Sequence, residues 1–376
     1  MMGRGSVAGA EKCESCKLGA MNFSCFGAFL VAAGACGLAG CMNAGPAVIT
    51  HGRPLYADAI ARTTDQQTLA AIVRMRYGES FGMLAVTSVT ANINIRTNAQ
   101  VQMGVGPDSN FTGNLVPLSG GVAYEENPTI SYAPIEGPQY LREYLSPTPL
   151  EVVVLAARSA RRPSFVLSLL LERVNGLWNP GSAAARAGDE RFSRVVALME
   201  LLRARGELEW GETTTDDAFA LVMLLPGGGS AEMKELISLL QVDVSSGSAG
   251  RIVLPLRLSS LEVTRDAIDV STRSVFDLLQ IAAGGVEVRQ EDLDAGVAVA
   301  VWPHVGPAPL RVRWSASRPA RAAVEVPYQG GWYSIDSTDH ESKMAFNLIQ
   351  ALLTARTRSS VNDGRAAPVL TVPVSR

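Results

Sequence analysis

The chain has 376 residues, enough for one large domain or two ordinary ones. Hydrophobic residues make up 47% and charged residues 18%, so a packed core is expected and wholesale disorder is excluded. The net charge of −3 has the wrong sign for a general nucleic-acid binder, and no nucleic-acid partner is expected. All five cysteines, Cys13, Cys16, Cys25, Cys36 and Cys41, precede residue 42. The body that follows has no thiol nucleophile, no thiolate metal site and no disulfide.

No charged side chain occurs from Leu18 to Thr50. Within that stretch the apolar run Phe26–Ala33 leads through small residues to Leu38-Ala39-Gly40-Cys41. A short apolar run closed by small residues describes a signal peptide and its processing site. The ending resembles the lipobox of bacterial lipoprotein signal peptides. That resemblance implies cleavage before Cys41, a diacylglycerol on its sulfur and further acylation, such as palmitate. Several acyl chains hold a protein firmly where one holds it marginally. Met42 stands where an Asp would resemble an inner-membrane retention signal, so an outer-membrane anchor facing the periplasm is expected. An uncleaved transmembrane anchor and a buried core helix are competing readings of the same segment. The start is long and carries Glu11 and Glu14 beside Arg4, Lys12 and Lys17, which leaves Met21 open as an alternative initiator. Cys13 and Cys16 form a CxxC pair without a second pair at ligand spacing. The expected organisation is a signal peptide over 1–40, a lipidated Gly- and Pro-containing tether over 41–55, and one body over 56–376. That body has a possible subdivision into 56–205 and 206–376.

In chain order, Thr64 or Asp65 is expected to cap a helix with Leu69, Ile72 and Val73 on one face and Gly78 at its end. From Phe81 to Gly106 the period becomes two. Val89, Ala91, Ile93 and Ile95 alternate with Thr90, Asn92 and Asn94, and Val101, Met103 and Val105 alternate with Gln100 and Gln102. Thr97-Asn98 is the expected turn of this hairpin. One reading packs the hairpin on a core. A second makes it a binding edge, and a third inserts it in a membrane, since barrel strands need about 9–11 alternating residues. Residues 107–121 are expected as a loop and Thr129–Ala133 as a strand. Residues 150–205 are expected to be helical, with Asn175-Gly176 ending the second helix and Phe192, Val195, Val196, Met199 and Leu202 facing inward on the third.

Further on, strands are expected at 221–225, 251–258, 297–302, 310–315, 322–326, 332–335 and 369–374. Helices are expected at 231–240, at 271–282 capped by Ser271 or Thr272, and at 341–355. The mixed order predicts an α+β fold with a mainly antiparallel sheet and packed helices. The segments Glu126–Gly137, Leu145–Leu150, Tyr328–Asp336 and Ser342-Lys343 together resemble a family of uncharacterised exported bacterial proteins. The resemblance implies a whole-length architecture and carries no activity.

A HExxH helix, a nucleophile elbow and a phosphate-binding loop are all lacking. The densest polar cluster is Asp336, Asp339, His340 and Glu341. These residues are weak metal or acid–base candidates, with helix capping as the plainer alternative. Tyr328, Trp332 and Tyr333 line either a groove or the core. His51 falls in the tether and His304 in a loop. No cofactor and no catalytic residue is expected. The leading expectation is a non-catalytic binding or assembly role for an envelope lipoprotein, with the membrane and an envelope protein as partners and no stated stoichiometry. The alternatives are a hydrolase using the acids from Asp336 to Glu341, and an oligomeric pore using the hairpin.

Overall fold

The computed structural model describes residues 44–90, 93–101, 118–126, 129–134, 138–180, 190–212, 219–224, 229–244, 251–258, 265–299, 308–362 and 370–373. Contacts divide the chain into Met1–Ala61 and Arg62–Arg376. The expected signal peptide, Cys41 and His304 lie outside the described residues.

Helix α1 runs Ala44–Arg76 with Pro54 inside it, so the described part of the expected tether is helical. Pro54 inside a helix carries a local cost of about 3 kcal/mol. Thr64 and Asp65 therefore sit within the helix rather than capping it. Thr68 closes on the Thr64 carbonyl, and Asp65 accepts from Gln350. Gly78, at φ 71°, ends the helix as expected.

The second unit is α+β. A six-stranded sheet has the order β6-β5-β10-β9-β8-β7, with β5 Leu171–Val174, β6 Leu177–Trp178, β7 Leu208–Glu212, β8 Phe219–Leu224, β9 Arg251–Leu258 and β10 Ile268–Thr272. Its ladders are antiparallel except β9–β10. The sheet draws strands from both sides of residue 205. Ile252, Leu254 and Leu256 of β9 are buried while Arg251, Val253 and Arg257 are exposed, the period-two signature of a sheet with one core face. Pro255 is tolerated because the β10 ladder begins only at Leu256, leaving β9 an open edge at the proline.

Helices α3 (Leu150–Ser159), α4 (Pro163–Leu170), α5 (Glu190–Ala204) and α6 (Ala231–Leu240) pack in sequence. Helix α5 buries Phe192, Val195, Val196, Leu198, Met199 and Leu202. The second of the expected helices, which Asn175-Gly176 is expected to end, stops at Leu170. Asn175 (φ 42°) and Gly176 (φ 78°) form the turn of the β5–β6 hairpin, because paired positive φ values match strand twist and do not continue a helix.

Helix α7 is Val275–Ala283 and its cap is Ser274, not Ser271 or Thr272, which belong to β10. Ser274 and Asp277 make a reciprocal capping box. Residues 297–299 are not strand; the rest of that expectation falls on residues outside the description. A short helix α8, Gln290–Asp294, precedes the sheet β11-β13-β12, formed by Arg313–Ser315, Gly331–Asp336 and Ala322–Tyr328. Helix α9 runs His340–Asn362 and packs on α2 (Pro138–Leu145) and α7.

The region expected as an 81–106 hairpin is built differently. Strand β1, Leu84–Thr90, pairs with β4, Thr129–Pro134, which also pairs with β14, Leu370–Pro373. Strand β2 runs unbroken from Ile93 to Val101 through Thr97 and Asn98, and its partner is β3, Leu118–Glu126, part of which was expected as loop. Thr97-Asn98 lacks the glycine that a two-residue turn with positive φ needs, so the strand continues.

Candidate functional site

The acids from Asp336 to Glu341 join the end of β13 to the start of α9. Asp336 Oδ1 accepts from the Thr338 amide at 2.8 Å and its hydroxyl at 2.7 Å. Asp339 Oδ1 accepts from the Ser342 amide at 3.0 Å, and Oδ2 from the Ser342 hydroxyl at 2.8 Å. These donors hold both carboxyls below the usual carboxylate range. Ser342 Oγ in turn accepts from the Arg311 amide at 2.9 Å, and Lys343 donates to the Ser337 carbonyl at 2.6 Å. His340 and Glu341 are exposed, and Glu341 reaches Arg162 at 2.9 Å. The arrangement is a turn closed by Asp336 and a helix start capped by Asp339. Arg162, Phe165, Arg311, Asp339, Glu341 and Ser342 are among the residues lining a cleft of about 310 Å³, in which the arginines bring positive charge and the acids oppose it. Among the described residues, no three His, Cys, Asp or Glu side chains gather as a metal site requires.

The aromatic residues divide between core and surface. Tyr333 is fully buried, whereas Trp332 is half-buried under the Arg318 guanidinium, 5.5 Å from its ring. Tyr333 belongs to a network that sequence reasoning missed. Tyr77 donates to Asp292 Oδ2 at 2.7 Å and shares a 2.5 Å bond with the Tyr333 hydroxyl. Since Tyr77 has one proton and gives it to Asp292, Tyr333 is the donor to Tyr77. Arg289 grips Asp292 with both Nε (2.9 Å) and a terminal nitrogen (2.5 Å). Arg289 lowers the Asp292 pKa, while burial raises both tyrosines. The network thus holds one anion, one cation and two neutral phenols, tying the end of α1 to α8 and β13. Nothing in Gln290-Glu-Asp-Leu-Asp294 distinguishes Asp292 from its acidic neighbours before folding.

The Leu145–Leu150 segment is a clamp. The Thr148 amide and hydroxyl both donate to the Arg273 carbonyl, at 3.0 and 2.7 Å. Thr272 returns a 2.7 Å bond to the Thr148 carbonyl. Arg273 is 3% exposed, and its side chain donates to the Ser168 and Leu169 carbonyls at the end of α4. Burial lowers its pKa to about 10, so it keeps its charge at neutral pH. This cation stabilises the carbonyl end of α4.

The remaining feature is the β2–β3 ladder. Its register, Ile93↔Glu126 to Val101↔Leu118, is in phase with the Thr90↔Thr129 end of the β1–β4 ladder. Strands β2 and β3 form a two-stranded sheet of their own. Among the described residues no other strand pairs with either of them, and the backbone donors and acceptors along such an edge can be satisfied by a further strand. No family model, curated protein or solved structure matches this chain.

Proposed function

We propose that this chain is an exported lipoprotein, held on the cell envelope by lipid on Cys41, with a non-catalytic assembly role carried by the β2–β3 ribbon. The outer membrane, facing the periplasm, is the proposed address, and the proposed partners are that membrane and an envelope protein. The observation that carries the role is the ribbon itself. Nine consecutive residues pair on each strand, and no other strand among the described residues pairs with either. Open edges are recognition elements, because they add strands through main-chain hydrogen bonds. The hydrolase reading has less to stand on, since Asp336 and Asp339 are occupied in a turn and a cap, and Glu341 pairs with Arg162 in the open.

Two variants test the proposal in cells fed a labelled fatty acid. Cys41→Ser should lose both label and membrane retention. A second variant, with residues 91–128 replaced by a short Gly-Ser turn, should keep label and fold but lose the envelope proteins cross-linked to the parent. Retention of Cys41→Ser in the membrane defeats the anchor. An unchanged cross-linking pattern in the shortened variant defeats the role given to the ribbon.

A further inference from the structure

We infer that the cleft between α1 and β12 is a docking site for a short extended segment of a partner protein, which pairs with the β12 edge and sets a carboxylate against Arg62. The site is separate from the β2–β3 ribbon and stands whether or not Cys41 carries lipid.

Strand and helix form two walls. Strand β12 is the last in the order β11-β13-β12, and among the described residues no strand pairs with its outer side. Helix α1 runs alongside it in the same direction. Gln66 donates to the Glu325 carbonyl at 3.4 Å and, further along both elements, the Tyr77 ring meets that of Tyr328 at 5.1 Å. Toward Arg62 a cleft of about 470 Å³ opens between them, lined by residues of the second unit. A cleft between an edge strand and a helix suits an extended chain, because the strand supplies main-chain bonds and the helix supplies side-chain contacts.

The backbone phase follows from two observations. The Gln66 bond shows that the Glu325 carbonyl faces away from β13. In an antiparallel ladder the amide and carbonyl of one residue face the same way, so the Glu325 amide faces outward too. Pro327, two residues on, agrees, because proline is tolerated where its nitrogen needs no ladder partner. Pro327 also limits the pairing, since it offers an incoming strand no donor. At the other end the ladder shifts register between Ala322 and Val324. A bulge and a proline guard an edge against long pairing. Residues 322–325, about 10–13 Å of strand, are therefore the part that a ligand can use. The Gln66 bond is at the long limit for an amide donor, and an incoming backbone amide can replace it. Pro319, Ala320, Ala322 and Ala323 line the cleft with little bulk, so another backbone can come close.

Charge selects the ligand. Arg318 donates to Glu325 at 2.6 Å and lies over Trp332, so that pair is satisfied. Asp65 turns to Gln350 on α9. Arg62 is exposed at the rim, and among the described residues its guanidinium has neither a hydrogen bond nor an ion pair. A carboxylate, at the end of the segment or on an Asp or Glu side chain, is the group that a guanidinium takes in a charge-assisted pair.

The test uses the full-length purified protein and a pool of tetrapeptides without Asp or Glu, with fluorescein on the amino end and a free carboxyl end. Binding is read by fluorescence polarisation and located by amide hydrogen exchange. With the pool at ten times its Kd, exchange at residues 322–325 should slow about tenfold. Arg62→Gln should raise the Kd about tenfold or more, and so should amidation of the carboxyl end. Arg142→Gln, at an exposed position on α2, should change it less than about twofold. Ala323→Phe, which fills the cleft from an exposed position, should abolish binding and leave thermal unfolding unchanged. An amidated pool with one internal Asp separates the sources: restored binding assigns the carboxylate to a side chain, and weak binding assigns it to the chain end. No binding of the free-carboxyl pool at millimolar concentration overturns the inference, as does an equal Kd for the free and amidated pools. Protection that falls outside residues 322–325 overturns it too. So does displacement of the pool by millimolar acetate, which would make the cleft a small-anion site.

Discussion

Tyr77, Tyr333, Asp292 and Arg289 make the strongest residue-level claim, because a buried polar chain is stabilising only while complete. Tyr77→Phe removes the donor to Asp292 and the acceptor of Tyr333, and should cost about 1–3 kcal/mol in urea unfolding. Tyr333→Phe should cost less, and the double variant should cost less than the sum, since the two share one bond. Additive losses would mean that the hydroxyls act separately. The network also carries a pH signature. The folded pKa of Asp292 lies below its unfolded value, so its contribution is fully present above the unfolded value of about 4 and fades as pH falls through the folded one. Asp292→Asn should therefore reduce stability at neutral pH, with the gap from the parent closing in acid. A gap that widens below about pH 4 would contradict this sign. Two glycines separate backbone freedom from space. A Cβ at Gly331 meets the Trp314 indole nitrogen, while Gly78 has open space and φ 71°. Gly78→Ala should cost about 1 kcal/mol through the backbone alone. Gly331→Ala should cost about 1–3 kcal/mol and also shift tryptophan emission, which Gly78→Ala leaves unchanged.

At the scale of elements, the caps decide how the Asp336–Glu341 cluster is used. If Asp339 serves α9 as a cap, Asp339→Asn should retain most of the stability and Asp339→Ala should lose about 1 kcal/mol, read by thermal unfolding. An equal loss in both variants would mean that the charge matters rather than the hydrogen-bond acceptor. Ser274→Ala, which breaks a complete capping box, should cost about 0.5–2 kcal/mol. Capping also shows what sequence reasoning can and cannot see. Helix α6 was legible to the residue, because Ser230 precedes an unambiguous apolar period and accepts from Met233. For α7 the serine-and-threonine-rich start, Ser271 to Ser274, offered several caps. Only the β10 pairing, a non-local event, removes the first two from contention. The pairing of β2 is hidden for a related reason. Alternation identifies a strand but not where it turns, and β2 finds its partner beyond a stretch of glycine and asparagine that reads as loop. Asn175-Gly176 reads as a terminator, yet the four residues before it are already strand rather than helix. In Leu171–Val174 a short apolar run fits either period.

The whole second unit follows from how its central sheet is stitched. Strand β10 lies between β5, which precedes residue 205, and β9, which follows it. The Thr148–Arg273 clamp crosses the same line, as do the contacts of Arg273 with the end of α4. The Asn175 side chain receives the Asp269 amide at 2.6 Å and donates to the Leu240 carbonyl at 2.7 Å. Cutting at 205 would therefore expose one edge of β10, uncover the apolar side chains of Ile268 and Val270, and leave buried donors without partners. With several side chains uncovered at about 1.5–3 kcal/mol each, the loss matches or exceeds the stability of a typical domain. Neither 62–205 nor 206–376 should then show cooperative thermal unfolding alone, whereas the two co-expressed fragments should associate and recover it. A sharp transition from isolated 206–376 would break this account, because it would require a core that closes without β5, β6 and the helices α3 to α5. The same stitching explains why composition and periodicity reached the α+β class but not the sheet order. Local patterns set which face of each strand is apolar, while the pairing of β10 with β5 joins chain segments roughly a hundred residues apart in sequence, held by the threonine, asparagine and arginine contacts between them.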